Sequence, residues 1–593
     1  MKVSDYIAKF LVEKNVDTVF AITGSGDVRL IESAHQAGIR YICPHNEQAG
    51  VMALIAKTRI DDKPGVMMVT GGPGASNTLI GVADAYLDSI PLIILAGQEN
   101  SEYMDDNKMR GKGVQGLDMS DVMSSVTKWA TCLDNASNIK YVLEQAFHRA
   151  YEGRPGPVWI DIPQNLQWAE VNPDELKGFT AMDMMRHGDT MKNAAAKTLE
   201  LLKTASRPLL WVGHGIRLSK CEEQFRRVLE KLNVPALVSW QAADLVPDDH
   251  PLFLGRAGTY GQRWANLALQ NCDLLITLGT RLALPQRGYN DALFAPRAKK
   301  VIVEIDPIEL KKFKFKIDVP VLGNVASFID ELEKQIDNYT LYNISWWKAR
   351  CEDMRDRYPM AIAPTEYDTE YINSYWFIDQ LSKHLTKDHI IITDMGTSLT
   401  CTHAAIKLKE GQRLVTSTGL GEMGYGLPAA IGASLGNPTR PVVLIVGEGG
   451  LMMNLQELQT LKNLNLPIKI FLINNNGYLT IKHTHNALYK SDGNASATSP
   501  ETGVTFPDFS KVISAFDIEF RSMGSKKYLD GWIQAILNSP GCVVGEVPMS
   551  EFQELIPKLA IKVKPDGTVF SPPLEDMYPF LSEEQLRKEM IGD

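Results

Sequence analysis

Between Val446 and Tyr478 the chain reads VGEGGLMMNLQELQTLKNLNLPIKIFLINNNGY. An acid, Glu448, stands between Gly447 and the pair Gly449–Gly450, and 27 residues later Asn475 sits in a run of three asparagines. Free N–H groups at the start of a helix after GEGG would face an anion. A carboxylate and an amide oxygen aimed at that anion make sense only with a cation between them. Magnesium fits, because it takes hard oxygen ligands at ~2.0–2.1 Å and completes its shell with phosphate oxygens. Taken singly, GEGG and NNNG are ordinary turn formers; their separation by one helix-length spacer is what points to chemistry.

The flanking residues say how the two ends meet. PVVLIV reads as a buried strand and IKIFLIN as the next one. LMMNLQELQTLKNLNL between them predicts a helix, with Leu455, Leu458, Leu461 and Leu464 three apart and Pro467 as its stop. A strand–helix–strand crossover is right-handed, so Glu448 and Asn475 both fall at the carboxyl edge of a parallel sheet, where open α/β folds bind ligands. The same rhythm runs through the chain, in VMMVT-GGPG-ASNTLIGVADAYLDS-PLIILAG, in RPLLWVG, VPALVSW, CDLLITLG and KKVIVEID, with a helix expected near 221–232, and in HIIITD. Near-continuous apolar strands alternating with helices predict an α/β fold of doubly wound parallel sheets covered on both faces. Two stretches, 171–190 and about 336–370, read as linkers. They divide the chain into domains at 1–170, 190–335 and 370–550, with a tail over 551–593.

With 593 residues the chain is too long for one core. A net charge of −10 supplies no basic field and argues against nucleic acid as a partner. No apolar run reaches the ~18 residues of a membrane helix, and MKVSDYIAKFLVEKNV lacks a signal-peptide core. Seven scattered cysteines without a CxxC pair suit reduced thiols and a cytoplasmic location.

The GxG and NN elements at this spacing resemble the thiamin diphosphate signature, and other segments agree. HNEQAG (45–50) is similar to the family's glutamate motif, and TGGPGASNTLIGVADAYLDSIPLIILAGQ, GRPGPVWIDIP and GLGEMGYGLPAAIGA (419–433) resemble three more of its segments. Within the family the chain looks like the acetohydroxyacid (acetolactate) synthases. RGKGVQGLD and PLEDMYPFL make it most similar to acetolactate-synthase-like carboligases of polysaccharide gene clusters.

The resemblance implies three domains that bind the pyrimidine, a nucleotide and the diphosphate. It makes Glu47 the acid that protonates N1′ of the aminopyrimidine, so that thiazolium C2 is deprotonated and the ring becomes an electron sink for decarboxylation of a 2-keto acid. Asn475 through its side chain and Gly477 through its carbonyl are the implied metal ligands beside Glu448, where the family has aspartate. Met423 matches the apolar wedge that bends the cofactor, and Gln115 a glutamine near the substrate. Gly24, Pro73, Asn77, Gly421, Gly447, Gly449 and Gly450 are the remaining implied thiamin diphosphate contacts. Arg154, Gly213, Gly215, Gly255, Gly258, Arg281 and Asp306 match segments that hold FAD in a non-redox role; an ADP-binding or empty domain is the alternative. Asn46 departs from the usual histidine, Ile55 from a glycine, and Asp27 and Arg29 are unusual beside Gly24.

The implied reaction is carboligation: a 2-keto acid donor, foremost pyruvate, and a carbonyl acceptor, either a second 2-keto acid or a keto sugar. A decarboxylase and a non-decarboxylating lyase of the same family are alternatives, the first disfavoured by the lack of a His pair in the Gln115 loop. A noncatalytic homologue is a further one, given Glu448 and Ile55. From another class, GLGEMG (419–424) is a GxGxxG with Glu448 lying 24 residues on, the pattern of an NAD-dependent oxidoreductase, but that leaves Glu47, the asparagine run and TGGPG unexplained. The family also implies a homodimer or homotetramer, with Glu47 of one subunit meeting the third domain of another.

Overall fold

A computed structural model describes residues 1–104, 110, 112–181, 188–360, 371–489, 496–563, 566 and 568–592. The middle of the first linker, 182–187, and most of AIAPTEYDTEY lie outside these residues. Three six-stranded sheets, all parallel, follow one another along the chain. Their inner strands are almost wholly buried, as in Gly65–Val69, Leu274–Leu278 and Lys469–Asn474, because helices cover both faces.

Numbered in chain order within each domain, the first sheet runs 2-1-3-4-6-5, from Arg40–Ile42 through Thr18–Ile22, Gly65–Val69, Leu92–Gln98 and Val158–Pro163 to Trp129–Cys132. The third sheet has the same order, from Arg413–Val415 through Ile390–Thr393, Val442–Gly447, Lys469–Asn474 and Val543–Pro548 to Glu519–Ser522. The middle sheet differs. Pro208–Val212 and Leu274–Leu278 lie at its centre and the order reads 3-2-1-4-5-6, the dinucleotide-binding arrangement with a switch point between those two strands.

The outer domains are locked together through two helices. Helix Glu47–Asp61 (EQAGVMALIAKTRID) is buried nearly all round, Ile55 included, which is how a helix enclosed by protein reads. It crosses helix Gly426–Gly436 so closely that a Cβ added to Gly432 would overlap the Ala53 carbonyl. The one long helix expected after GEGG is instead two, Glu448–Met453 and Glu457–Asn463. The break is at Asn454, whose amide donates to Gly424 O at 2.7 Å, a tertiary bond that a continuous helix would forfeit. The helix expected near 221–232 is present as Glu222–Leu232.

The tail packs on the middle domain. Asn266 donates to Leu574 O, Arg263 to Met577 O, and Glu589, almost fully buried, takes hydrogen bonds from Arg350, Arg357 and Tyr358. No helix among the described residues is long and apolar enough to cross a membrane, and the seven cysteines are free.

Candidate active site

Glu47 opens its helix at the carboxyl edge of the first sheet. Asn46 is the N-cap, its side chain accepting from Gln48 N at 2.8 Å, and this gives the unusual asparagine a structural role. The Glu47 carboxyl is 8% exposed and accepts from Asn77 Nδ2 at 3.0 Å. Gly74 abuts its other oxygen: a Cβ there would stand 3.1 Å from Glu47 Oε1. Pro73 starts the short helix Pro73–Asn77 that carries this contact. Thr70 joins the remaining expected residues. Its side chain fills the space beside Gly24, accepts from Gly26 N at 3.1 Å, and stands 3.5 Å from Gln115 Oε1. Arg29 points elsewhere, pairing with Asp5 and stacking over Trp168. Asp27 is fully buried and accepts from Gly24 N at 2.7 Å; burial pushes its carboxyl up to about 7.

In the third domain the ends of two neighbouring strands meet as expected. Glu448 follows Val442–Gly447, and Asn475 follows Lys469–Asn474. Despite its extra methylene, Glu448 reaches the asparagine turn: Oε1 accepts from Asn475 N at 3.1 Å and Gly477 N at 2.9 Å. Burial pushes its carboxyl up to about 7, against these N–H groups, which hold it down.

The Asn475 amide sets one terminal atom 3.2 Å from Glu448 Oε1 and 2.7 Å from Gly477 O. With its nitrogen there it donates to both. With its oxygen there, three oxygens face one another without a hydrogen between them. Adjacent oxygens around an octahedral magnesium at ~2.0–2.1 Å stand about 2.8–3.0 Å apart. The three groups therefore fit a magnesium ion, which would select the second orientation.

The glycines beside Glu448 are shaped by protein as well as by any anion. A Cβ on Gly449 would strike the Tyr478 ring and approach Met423 Cε to 2.9 Å, and one on Gly450 would lie 2.5 Å from Asp394 Oδ1. Gly447 faces open space, its nearest neighbour 3.9 Å away. Gly421 has φ +75°, a backbone state that favours glycine. Asp394 carries no motif of its own. It accepts from Gly424 N at 3.1 Å, Gly426 N at 2.7 Å and Met395 N at 2.8 Å, and so ties the Met423 loop to the GEGG turn. Its place at the end of the interior strand Ile390–Thr393 is the signal that could have found it.

The switch point of the middle sheet opens into a cavity of about 240 Å³. Arg154, Gly215 and Arg281 line it, as expected, together with His214, Trp240, Gly279 and Glu304; Asp88 and Thr418 close it from the outer domains. Gly213, Gly255, Gly258 and Asp306, also expected as contacts, do not line it. Gly213 is pressed against the Gly279–Thr280 backbone, Gly255 against Gln262, and Gly258 against Pro285 O. Asp306 caps the following helix, accepting from Ile308 N at 2.9 Å, and pairs with Arg154 at 3.4 Å. The acid that reaches the cavity is Glu304, at the end of strand Lys299–Glu304. Glu304 stands two residues before Asp306, at the strand end itself.

The chain matches the N-terminal TPP binding domain of thiamine pyrophosphate enzymes over residues 1–122, their central domain over 195–332 and their C-terminal TPP binding domain over 394–547. GLGEMG falls inside the last of these. Among similar proteins, the acetolactate synthase isozyme 1 large subunit of Escherichia coli (strain K12) is 32% identical over 93% of this chain and 95% of its own length. The isozyme 2 large subunit of the same organism is 30% identical over 94% and 97%. The chloroplastic acetolactate synthase 3 of Brassica napus is 29% identical over 96% and 86%. Sheet orders, strand-end residues and these matches over nearly the whole length agree, and the chain belongs to the thiamine pyrophosphate-dependent enzymes of the acetolactate synthase type.

Proposed function

We propose that the chain is a carboligase that decarboxylates a 2-keto acid, foremost pyruvate, and transfers the acyl unit to a carbonyl acceptor, a second 2-keto acid or a keto sugar. The observation that carries this is the convergence of Glu448, Asn475 and Gly477 at adjoining strand ends, where one Asn475 terminal atom lies 3.2 Å from Glu448 Oε1 and 2.7 Å from Gly477 O, close to the spacing of oxygens around magnesium. Glu448, the Asn475 side chain and the Gly477 carbonyl would hold magnesium, and the metal would hold the diphosphate. Thiamin diphosphate, when bound, supplies the electron sink that decarboxylation needs. Glu47 holds and moves the proton at the pyrimidine nitrogen, and its burial against Asn77 and Gly74 keeps water from competing for it. Met423 shapes the cofactor, and Gln115 faces the substrate.

The 3-2-1-4-5-6 order and the cavity at its switch point support FAD in the middle domain, with Arg154, Arg281 and Glu304 among its contacts. Glu47 and the metal-binding turn belong to different domains, which supports a homodimer or homotetramer completing each site across subunits. A cytoplasmic location goes with this reading.

The test is the purified protein with thiamin diphosphate, magnesium and pyruvate, alone and with 2-ketobutyrate or nucleotide keto sugars, products read by mass. Carbon dioxide release with a ligated product is expected. Free aldehyde alone would make the chain a decarboxylase, and no turnover with any acceptor would overturn the proposal.

A further inference from the structure

Where the first and third domains meet, two carboxyls gather around one hydroxyl, with Asp84 and Ser417 buried and Glu422 half-buried. Asp84 comes from helix Leu79–Asp88, Ser417 follows strand Arg413–Val415, and Glu422 immediately precedes Met423. Ser417 Oγ stands 2.8 Å from Asp84 Oδ1 and 2.7 Å from Glu422 Oε2. A hydroxyl donates one proton. It cannot serve two ionised carboxylates, so one of the two acids must carry a proton and donate it. The outer oxygens agree: Asp84 Oδ2 and Glu422 Oε1 are both out of solvent and without a hydrogen-bond partner.

The other groups facing the pair do not neutralise it. Arg59 lies 3.8 Å from Asp88 and donates to Thr416 O at 2.9 Å. Asp88 also accepts from Gly419 N at 2.8 Å and Thr418 N at 3.4 Å. The Tyr425 hydroxyl, fully buried and also unpartnered, is neutral. Two ionised carboxylates side by side, sharing one cation with a third at Asp88, are strongly disfavoured.

We propose that Asp84 and Glu422 hold one proton in common at neutral pH, and that this proton latches the Met423-bearing loop of the third domain to the first. Glu422 is then a positioning residue. It contacts no reacting atom, but Met423 beside it touches the GEGG turn at Gly449, so a loosened latch reaches the cofactor site. That last link rests on the proposed function; the latch does not.

Burial pushes Glu422 up to about 7 and Asp84 well above the usual carboxylate range. The folded chain therefore keeps protons that the unfolded chain has lost above pH ~4. Stability falls as pH rises from there through 7 and beyond.

The test uses full-length wild type, Glu422→Gln, Glu422→Thr and Asp84→Asn, without cofactor and with it. Infrared difference spectra of wild type against either Glu422 variant should show, at pH 7, a protonated-carboxyl carbonyl band that fades as pH rises to 9. The melting temperature should fall more steeply over the same range in wild type than in the variants. The dissociation constant for thiamin diphosphate with magnesium should rise about tenfold in wild type and less than about threefold in Glu422→Gln. Absence of the band, or variants that keep the wild-type melting slope, would overturn the latch. If no chain binds thiamin diphosphate at any pH, the functional proposal fails while band and melting still decide the latch.

Discussion

Glu448 carries one methylene more than the aspartate of the enzymes it resembles, yet its carboxyl reaches the Asn475–Gly477 turn. Replacing it with glutamine keeps the shape and removes the charge. Glu448→Gln should raise the magnesium concentration needed for thiamin diphosphate binding by about tenfold or more, with little change in melting temperature; a magnesium titration followed by tryptophan fluorescence checks it. Glu47→Gln should leave cofactor binding near wild type and lower kcat by about 10²–10⁴-fold, the scale of a lost general acid, read by carbon dioxide release. Asp394 has a different task. Asp394→Ala would strand the N–H groups of Gly424, Gly426 and Met395, a loss of about 1–3 kcal/mol, visible in denaturant unfolding. Glu448 and Asn475 stand out in the sequence by their spacing, and Glu47 by the resemblance of HNEQAG to the family's glutamate motif. Asp394, Asp84 and Glu422 do not, because their meaning lies in what long-range folding sets beside them.

At the scale of elements, alternating strand and helix gave the three sheets directly, since apolar runs of strand length between glycine turns have few other solutions. The helix after GEGG was overextended. Leucines three apart predict a helix but cannot report that Asn454 is needed elsewhere, by Gly424 O. Nor could glycine content show which glycines serve ligands. Gly432 serves packing: its missing side chain lets helix Gly426–Gly436 meet helix Glu47–Asp61 at the Ala53 carbonyl. Gly432→Ala should destabilise the chain by about 1–3 kcal/mol or more, lowering the melting temperature and weakening the contact between the outer domains, measured by thermal unfolding and hydrogen exchange along 47–61.

At the scale of the whole molecule, the outer domains share one strand order, and Glu47 and Met423 both follow the second strand of their sheet, Glu47 opening the next helix and Met423 three residues ahead of it. Sequence alone left that kinship open. If each site draws Glu47 from one subunit and the metal turn from another, inactive Glu47→Gln and Asn475→Ala chains should complement each other. Randomly mixed dimers should recover about a quarter of wild-type activity, since half are hybrids with one intact site of two; no recovery would place both residues in one chain's site. If FAD fills the middle-domain cavity, Arg281→Ala should lower the flavin retained after reconstitution, read from the visible spectrum, while keeping its melting profile. The meeting of Gly432 with Ala53 also decides where the molecule can bend. Backbone pressed on backbone leaves no slack, so the two outer domains of a chain travel as one stiff piece. The middle domain is tied on in another way, by side chains at Arg154–Asp306 and Gln241–Thr418 and by a backbone bond from Asp248 N to Leu408 O. The two side-chain contacts border the cavity, so a ligand lodged there would be held by the middle domain and by both outer ones at once.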